Sequence, residues 1–351
     1  MALVSPLLQT VAAVNYLPFV LVLARTLHES MPAARLCVLV TDVTPTVLKD
    51  IRDQFGPVIE FICCDDLGFE MIEQFRQYYT ILEFNSACKV LALDYQIRVR
   101  GEPECFFIDP DMFVLGDFTD LVRAQNRDIV VTPHITKPYP DDGEFPVNAE
   151  MAASGFVNGG FIYVRNSEPS MVILDWLVRQ TRYNWFVAPS FGMYADQHWL
   201  SMLLFVFEET TGLLRDSTVN IAYWNLHERQ LSNVDDTIMV GENEQQPALL
   251  FHFSGFTTPN DGRLSKHSRR RFDTETEHVI AGLINNYKLR LRLDRQLLAR
   301  TSISGNLGFA NKPLQVRMKI AQEYWGNHFT EFGMGTGRFG RLGMALDRLL
   351  S

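Results

Sequence analysis

What most constrains this chain is the alternation of short apolar runs with helical stretches in its N-terminal part. Residues 7–14, 36–41 and 58–63 read as buried strands, and residues 16–29 and 46–55 as helices, the first ending before Pro32. Strands separated by helical crossovers build an α/β sheet with helices layered on it. Such sheets take their ligands at the carboxyl ends of the strands. Asn15 and Tyr16 follow the first strand and therefore stand where a ligand is expected. At 351 residues the chain has room for one large α/β domain with an appendage or for two modest domains.

A later strand carries the most pointed chemistry. Cys105-Phe-Phe-Ile-Asp-Pro-Asp-Met-Phe-Val-Leu-Gly-Asp117 sets Asp109 and Asp111 between two apolar runs. Residues two apart on extended chain face the same side, and Pro110 stiffens the backbone between them. Two hard oxygen ligands then converge, which suits Mg²⁺ or Mn²⁺ together with phosphate oxygens. A polar turn between two strands accounts for the same residues, and from the motif alone both readings stand.

Composition narrows the classes. No uncharged apolar run reaches the roughly 18–20 residues that span a bilayer, and the longest candidate, residues 11–27, is broken by Asn15, Pro18 and Arg25. No basic segment precedes an apolar one at the N-terminus, so cytoplasmic residence is expected. Cys37, Cys63, Cys64, Cys88 and Cys105 show no paired metal spacing and read as small buried apolar residues in a reducing compartment.

Charge is uneven. Residues 261–351 hold 16 Lys+Arg against 8 Asp+Glu, a net of +8, whereas the remainder is at −17. Arg269, Arg270, Arg271, Lys288, Arg290, Arg292 and Arg295 read as a solvated helical face, or as a hold on an anionic acceptor or on an anionic membrane at its inner surface. The acidic main body argues against a nucleic-acid partner.

Further segments carry candidate site residues. Residues 84–97 read as a helix with Lys89 in its interior, and residues 132–143, dense in Pro, Asp and Gly, as a loop of the kind that forms lids. Asn158-Gly159-Gly160 reads as a turn or as a place where backbone approaches a ligand, with the Asn amide free for sugar hydroxyls. Asp196 opens a helical run as a cap or a hydroxyl acceptor. Residues 249–255 read as a strand ending in His252, a metal-ligand type, and Gly255, which admits phosphate. Arg263, Lys266 or His267 then reaches a diphosphate or belongs to a solvated loop. In residues 220–229, Trp224, Asn225 and His227 either line a sugar pocket or pack a strand end.

Taken in order, Val11-Ala-Ala-Val-Asn-Tyr16, Phe107-Ile-Asp-Pro-Asp111, Val157-Asn-Gly-Gly160, Asp196-Gln197 and His252-Phe-Ser-Gly255 resemble the retaining nucleotide-sugar glycosyltransferases of family 8. These are the glycogenin and bacterial lipooligosaccharide galactosyltransferase type, and this chain reads as a divergent bacterial branch. The resemblance runs from residue 7 to about residue 268. It implies a GT-A fold, a Rossmann-like mixed sheet flanked by helices, over residues 1–275; beyond that the pattern itself turns helical and basic and reads as a small C-terminal helical region over 276–351. It also implies Mn²⁺ (or Mg²⁺) on Asp109, Asp111 and His252, and a UDP-sugar whose uridine borders Ala12, Asn15 and Tyr16. Lys89 would lie near donor sugar and phosphate, Asn158 and Asp196 on donor hydroxyls, Gln197 beside the anomeric carbon, and Gly255 at the diphosphate.

The family's lysine three residues after this glycine is absent, since the position is Thr258, and Lys266 is the nearest substitute. The implied activity is hexose transfer, with retention, to a saccharide, lipid-linked or protein acceptor. The alternatives are a sugar-phosphate nucleotidyltransferase, which would want a Gly-rich basic loop where Val14-Asn-Tyr-Leu-Pro18 stands, and a non-catalytic nucleotide-sugar binding protein.

Overall fold

The computed structural model describes residues 5–56, 58–242, 244–256, 263–269 and 272–325. Its centre is a seven-stranded mixed sheet. The first strand, β1 (Leu7–Ala12), is followed by α1 (Leu17–Ser30), β2 (Arg35–Val40), α2 (Pro45–Phe55) and β3 (Glu60–Cys63). Next come α3 (Ile72–Tyr78), α4 (Ile81–Asp94), β4 (Glu104–Ile108), β5 (Met112–Val114), α5 (Thr119–Arg123) and β6 (Ile129–Pro133). The chain continues through α6 (Asn148–Ser154), β7 (Val157–Arg165), α7 (Glu168–Thr181), the short strands β8 (Val187–Ala188) and β9 (Met193–Tyr194), α8 (Asp196–Val206) and β10 (Thr211–Leu213). A small ribbon of β11 (Leu231–Val234), β12 (Thr237–Val240) and β13 (Gln246–Pro247) precedes β14 (Leu250–His252), and α9 (Thr274–Leu298) and α10 (Leu314–Trp325) close the described chain.

The main sheet runs β10-β6-β7-β4-β1-β2-β3, and β14 pairs separately with β5. Within the main sheet only β7 is antiparallel to its neighbours; the remaining pairings are parallel. The α/β reading, a Rossmann-like mixed sheet flanked by helices with helices at the C-terminal end, is what the chain adopts.

Strand periodicity splits the core into two layers. Val11, Leu39, Phe107 and Ile162 face one side with α4 and α7, and Leu8, Val38, Val40, Phe106 and Ile108 face the other with α1 and α2. A third cluster forms where α9 packs on α1, β5 and β14, and Tyr287 stacks on Phe253 at 3.8 Å between ring centroids. All five cysteines are free and buried.

Three local differences from the sequence reading have physical causes. Asn158, Gly159 and Gly160 are not in a turn but open β7, where Asn158 pairs with Thr132 across a register shift. The helix carrying Lys89 starts earlier, at Ile81, because Thr80 and Glu83 form a reciprocal capping box, and it ends at Asp94 in a π-helical turn. The loop after β6 is tied down near its start: Glu228 accepts hydrogen bonds from the backbone of Thr136 and Lys137, and the Tyr139 hydroxyl donates to the Trp224 carbonyl at 2.6 Å.

The C-terminal helices pack on the sheet domain. Arg317 of α10 forms a buried ion pair with Glu83, and Arg290 of α9 pairs with Glu29 at 2.8 Å. No described helix is long and apolar enough to cross a membrane. Arg270, Arg271, Thr258 and residues 326–351 lie outside the described residues.

Candidate active site

A cavity of about 400 Å³ opens at the carboxyl ends of β1 and β4. Its floor follows from the sheet. β4 ends at Ile108, the Asp109-Pro-Asp111 turn follows, and β5 pairs back with β14, which brings His252 opposite Met112. Asp109, Asp111 and His252 each offer one ligand atom, all within 4.8 Å of one another. His252 Nε2 lies 3.1 Å from Asp111 Oδ1 and 3.9 Å from Asp109 Oδ2, and among the described residues no hydrogen bond of good geometry satisfies it.

One wall is a helical stripe. Leu82, Asn85, Ser86 and Lys89 recur at the spacing of one face of α4 and line the cavity. The Lys89 ammonium is enclosed by three oxygens: Asp109 Oδ1 at 2.9 Å, Asp196 Oδ2 at 3.1 Å and the Gly159 carbonyl at 3.0 Å. The Gly159 carbonyl accepts a hydrogen bond, and the two carboxylates meet the ammonium as ion pairs. Burial works against its charge, yet Asp109 and Asp196 outweigh it and raise the lysine's pKa. Burial likewise raises Asp109, with Lys89 opposing. Lys89 therefore holds the two carboxylates in place through its charge.

Opposite stands the start of β7, where glycine is required for close approach. A methyl on Gly160 would lie 2.6 Å from His252 Cε1 and 2.9 Å from Asp109 Oδ2, and one on Gly159 would collide with the Asp196 carboxylate. Asp196 is the first residue of α8 but makes no capping bond; its carboxylate goes to Lys89 instead. Gln197 also lines the cavity, with a buried Oε1 that has no partner among the described residues.

The expected site residues are largely brought together. Ala12, Tyr16, Lys89, Asp109, Asp111, Asn158, Asp196, Gln197, Trp224 and His252 share the one cavity. Asn15 is exposed beside it and is not part of the lining, and neither Gly255 nor Lys266 lines it. Gly255 sits at φ +67° and its carbonyl accepts the Lys266 N–H at 3.1 Å; Lys266 is exposed, while Ser254 and His267 are in the lining. Trp224 does not offer an open face for sugar stacking. It is 2% exposed and meets His134 and His252 edge-on, at 5.3 and 5.1 Å. Asn225 donates to the Asn220 and His134 carbonyls, and His227 packs on Tyr139; both brace the loop outside the cavity.

Sequence reasoning missed His134, Glu150, Tyr194, Tyr223 and Asn85 in the lining and Asn220 behind it. His134 is fully buried, which pushes its pKa down to about 4, with the Gly155 carbonyl opposing. The one available signal for it was position, directly after a strand of the sheet.

No protein-family profile matches the chain. The uncharacterised protein YfnF of Bacillus subtilis (strain 168) is 22% identical over 175 residues, 50% of this chain and 57% of that protein, so the chain spans little more than half the length of the curated relative it matches. Among solved structures, the galactosyltransferase LgtC in complex with donor and acceptor sugar analogs is similar at 14% identity, over 79% of this chain and 95% of that one, with a TM-score of 0.47. Mouse xyloside xylosyltransferase 1 is similar at 15% identity over 63% and 89% of the two chains, with a TM-score of 0.39. The Streptococcus pneumoniae TIGR4 glycosyltransferase GlyE is similar at 13% identity over 84% and 64%, with a TM-score of 0.43. At TM-scores below 0.5 none of these similarities fixes a reaction or a residue's role, and the site has to carry the functional reading.

Proposed function

We propose that this chain is a metal-dependent glycosyltransferase of the GT-A type, transferring a hexose with retention from a UDP-sugar to a saccharide, lipid-linked or protein acceptor. One observation carries the reading. Asp109, Asp111 and His252 bring ligand atoms within 4.8 Å of one another, and among the described residues the His252 nitrogen there makes no hydrogen bond of good geometry. Three converging lone-pair donors of oxygen and imidazole type, beside a cavity of about 400 Å³, fit a divalent cation such as Mn²⁺ or Mg²⁺ that shares its coordination with phosphate. When bound, the ion would act as a Lewis acid that neutralises charge developing on the departing nucleoside diphosphate.

The chain's own residues do the remaining work. Lys89 holds Asp109 so that one oxygen faces the metal position, and holds Asp196 against the β7 backbone. Ala12 and Tyr16 form the wall for the nucleoside, and the glycines of β7 let the diphosphate and sugar approach the backbone. Asn158 keeps one amide N–H for a donor hydroxyl, and Gln197 offers its carbonyl oxygen beside it. Because Asp196 is engaged by Lys89, a free carboxylate nucleophile is not what it supplies, which favours same-face transfer with the leaving phosphate taking the acceptor's proton.

The test is hydrolysis and transfer with a panel of nucleotide sugars and Mn²⁺, with Asp109→Asn and Asp111→Asn as controls. A donor turned over only with metal, and lost in both variants, supports the proposal; turnover unaffected by chelation defeats it. Retention is read from the product's anomeric proton by NMR.

Peripheral membrane contact belongs to the same proposal. Leu289, Leu293 and Leu297 recur one turn apart on α9 and are exposed, as is Arg292. Binding to anionic vesicles should weaken as salt rises, because exposed charges are screened within a Debye length of about 8 Å; indifference to lipid charge removes the membrane from the proposal.

A further inference from the structure

We infer that a buried hydrogen-bond chain, His134–Asn158–Asn220–His252, fixes which nitrogen of His252 is left for the metal, and that Asn220 is its decisive positioning residue. The inference rests on the metal reading above, and it names what makes that site directional.

The order of donors and acceptors is forced from both ends. The Gly155 carbonyl can only accept, and it lies 2.8 Å from His134 Nδ1, so that nitrogen carries the proton. His134 Nε2 is then a lone pair, and the Asn158 amide nitrogen donates to it at 3.2 Å. Asn158 is fixed a second time, because the Gly160 N–H, which can only donate, reaches its Oδ1 at 3.0 Å. That same oxygen accepts from Asn220 Nδ2 at 3.0 Å, and Asn220 Nδ2 also donates to Thr132 Oγ1 at 2.7 Å. Asn220 must therefore turn its carbonyl oxygen the other way, 3.0 Å from His252 Nδ1. His252 holds its proton on Nδ1, and its Nε2 lone pair points at Asp109 and Asp111.

Reversing any link would set two donors or two acceptors face to face. All four side chains are buried, Asn220 completely, so water cannot repair such a fault at Asn220, and the unmade bond is destabilising. Asn220 sits at φ +56°, in the left-handed region that asparagine tolerates better than most residues, and Asn225 secures its carbonyl at 3.0 Å. The backbone there is bent so that one short amide reaches two strands and the histidine together. Partners of this kind hold a metal-ligating imidazole in one tautomer, and losing one typically weakens metal binding about 10–100-fold.

Two substitutions separate this role from mere packing. Asn220→Ala removes the acceptor, and His252 can then move its proton to Nε2 and donate to Asp111. Asn220→Asp keeps an acceptor toward His252 while facing Asn158 Oδ1 with another acceptor. Mn²⁺ affinity by calorimetry, histidine tautomers by ¹⁵N NMR of the metal-free protein above the pH range of histidine titration, and thermal stability are measured on both. The expected result is a loss of Mn²⁺ affinity of about 10–100-fold in Asn220→Ala with a changed His252 tautomer, and near-normal affinity with reduced stability in Asn220→Asp. Affinity that follows stability in both variants, or a wild-type His252 protonated on Nε2, overturns the inference. A wild-type protein that binds no Mn²⁺ would defeat the metal reading instead, and the metal-free tautomer would still decide the chain: Nδ1–H upholds it and Nε2–H overturns it.

Discussion

Replacing Lys89 with methionine removes the one ammonium that stands among Asp109, Asp111 and Asp196 while keeping most of the side chain's volume. At 2.9 and 3.1 Å, each ion pair is worth about 5–6 kcal/mol of attraction at an effective dielectric of about 20. Much of that is offset by the desolvation of a largely buried lysine. The loss on breaking such a pair is about 3–5 kcal/mol, because the remaining charges stay buried without a partner. With an unfolding entropy of about 2 cal/mol/K per residue, a chain of this size loses about 1.5 °C per kcal/mol, so Lys89→Met should melt about 4–7 °C lower in chelator.

Two further consequences test the cause rather than the size. A divalent cation restores positive charge to the cluster, so Mn²⁺ should raise the melting temperature of Lys89→Met by more than it raises that of the wild type. Burial already raises Asp109, and without Lys89 it rises further above its unfolded value. A carboxyl raised in the folded state binds more protons than the unfolded chain, so the defect should shrink as pH falls toward the carboxylate range and grow above it. Thermal unfolding with chelator and with Mn²⁺, at several pH values, reads all three effects. A variant as stable as the wild type in chelator, or one gaining no more from Mn²⁺, would refute the electrostatic account of this cluster.

Gly160→Ala should fold, at about 1–3 kcal/mol of overpacking cost, yet bind Mn²⁺ far more weakly, because the added methyl would crowd His252 and Asp109; calorimetry beside circular dichroism checks this. His134 is held neutral with its pKa lowered to about 4, below its unfolded value near 6.5, so the unfolded chain binds the extra proton between those values. Stability contributed there is present above about pH 6.5 and lost, on the order of 3 kcal/mol, as pH falls toward 4; the loss over that window should be smaller in His134→Gln. Arg317→Leu should cost about 3–5 kcal/mol by leaving the buried Glu83 carboxylate without its counter-charge, read as a lowered denaturation midpoint.

The metal candidates were legible because their signal is local. Asp109 and Asp111 share one short turn, and His252 ends a strand, so period and residue type were enough. Asn220 was not legible, since its role depends on partners 32, 62 and 88 residues away and on a left-handed backbone that no pattern announces. The paired glycines misled for a physical reason. Gly-Gly is a common turn signal, but here glycine is demanded inside a strand because carboxylates and an imidazole press against its Cα positions. Lys266 was nominated for its charge, but it is the residue after it, His267, that lines the cavity.

One topological fact explains why so many distant residues meet. A purely parallel sheet offers only the carboxyl ends of its strands at its ligand edge. Here β7 runs antiparallel between β4 and β6, so its amino end, Asn158-Gly159-Gly160, arrives at the same edge as Asp109. The Asp109 N–H donates to the Gly160 carbonyl at 2.9 Å, which ties the two ends directly. The residue that can bear an amide, and the two that must bear nothing, therefore lie beside the carboxylates. From there Asn158 reaches His134 at the end of β6 and Asn220 behind β14, while Lys89 closes the other side from α4. A single reversed strand thus turns an edge that would hold only carboxyl-end residues into a pocket walled from both sides, and the directional hydrogen bonding of His252 depends on that reversal.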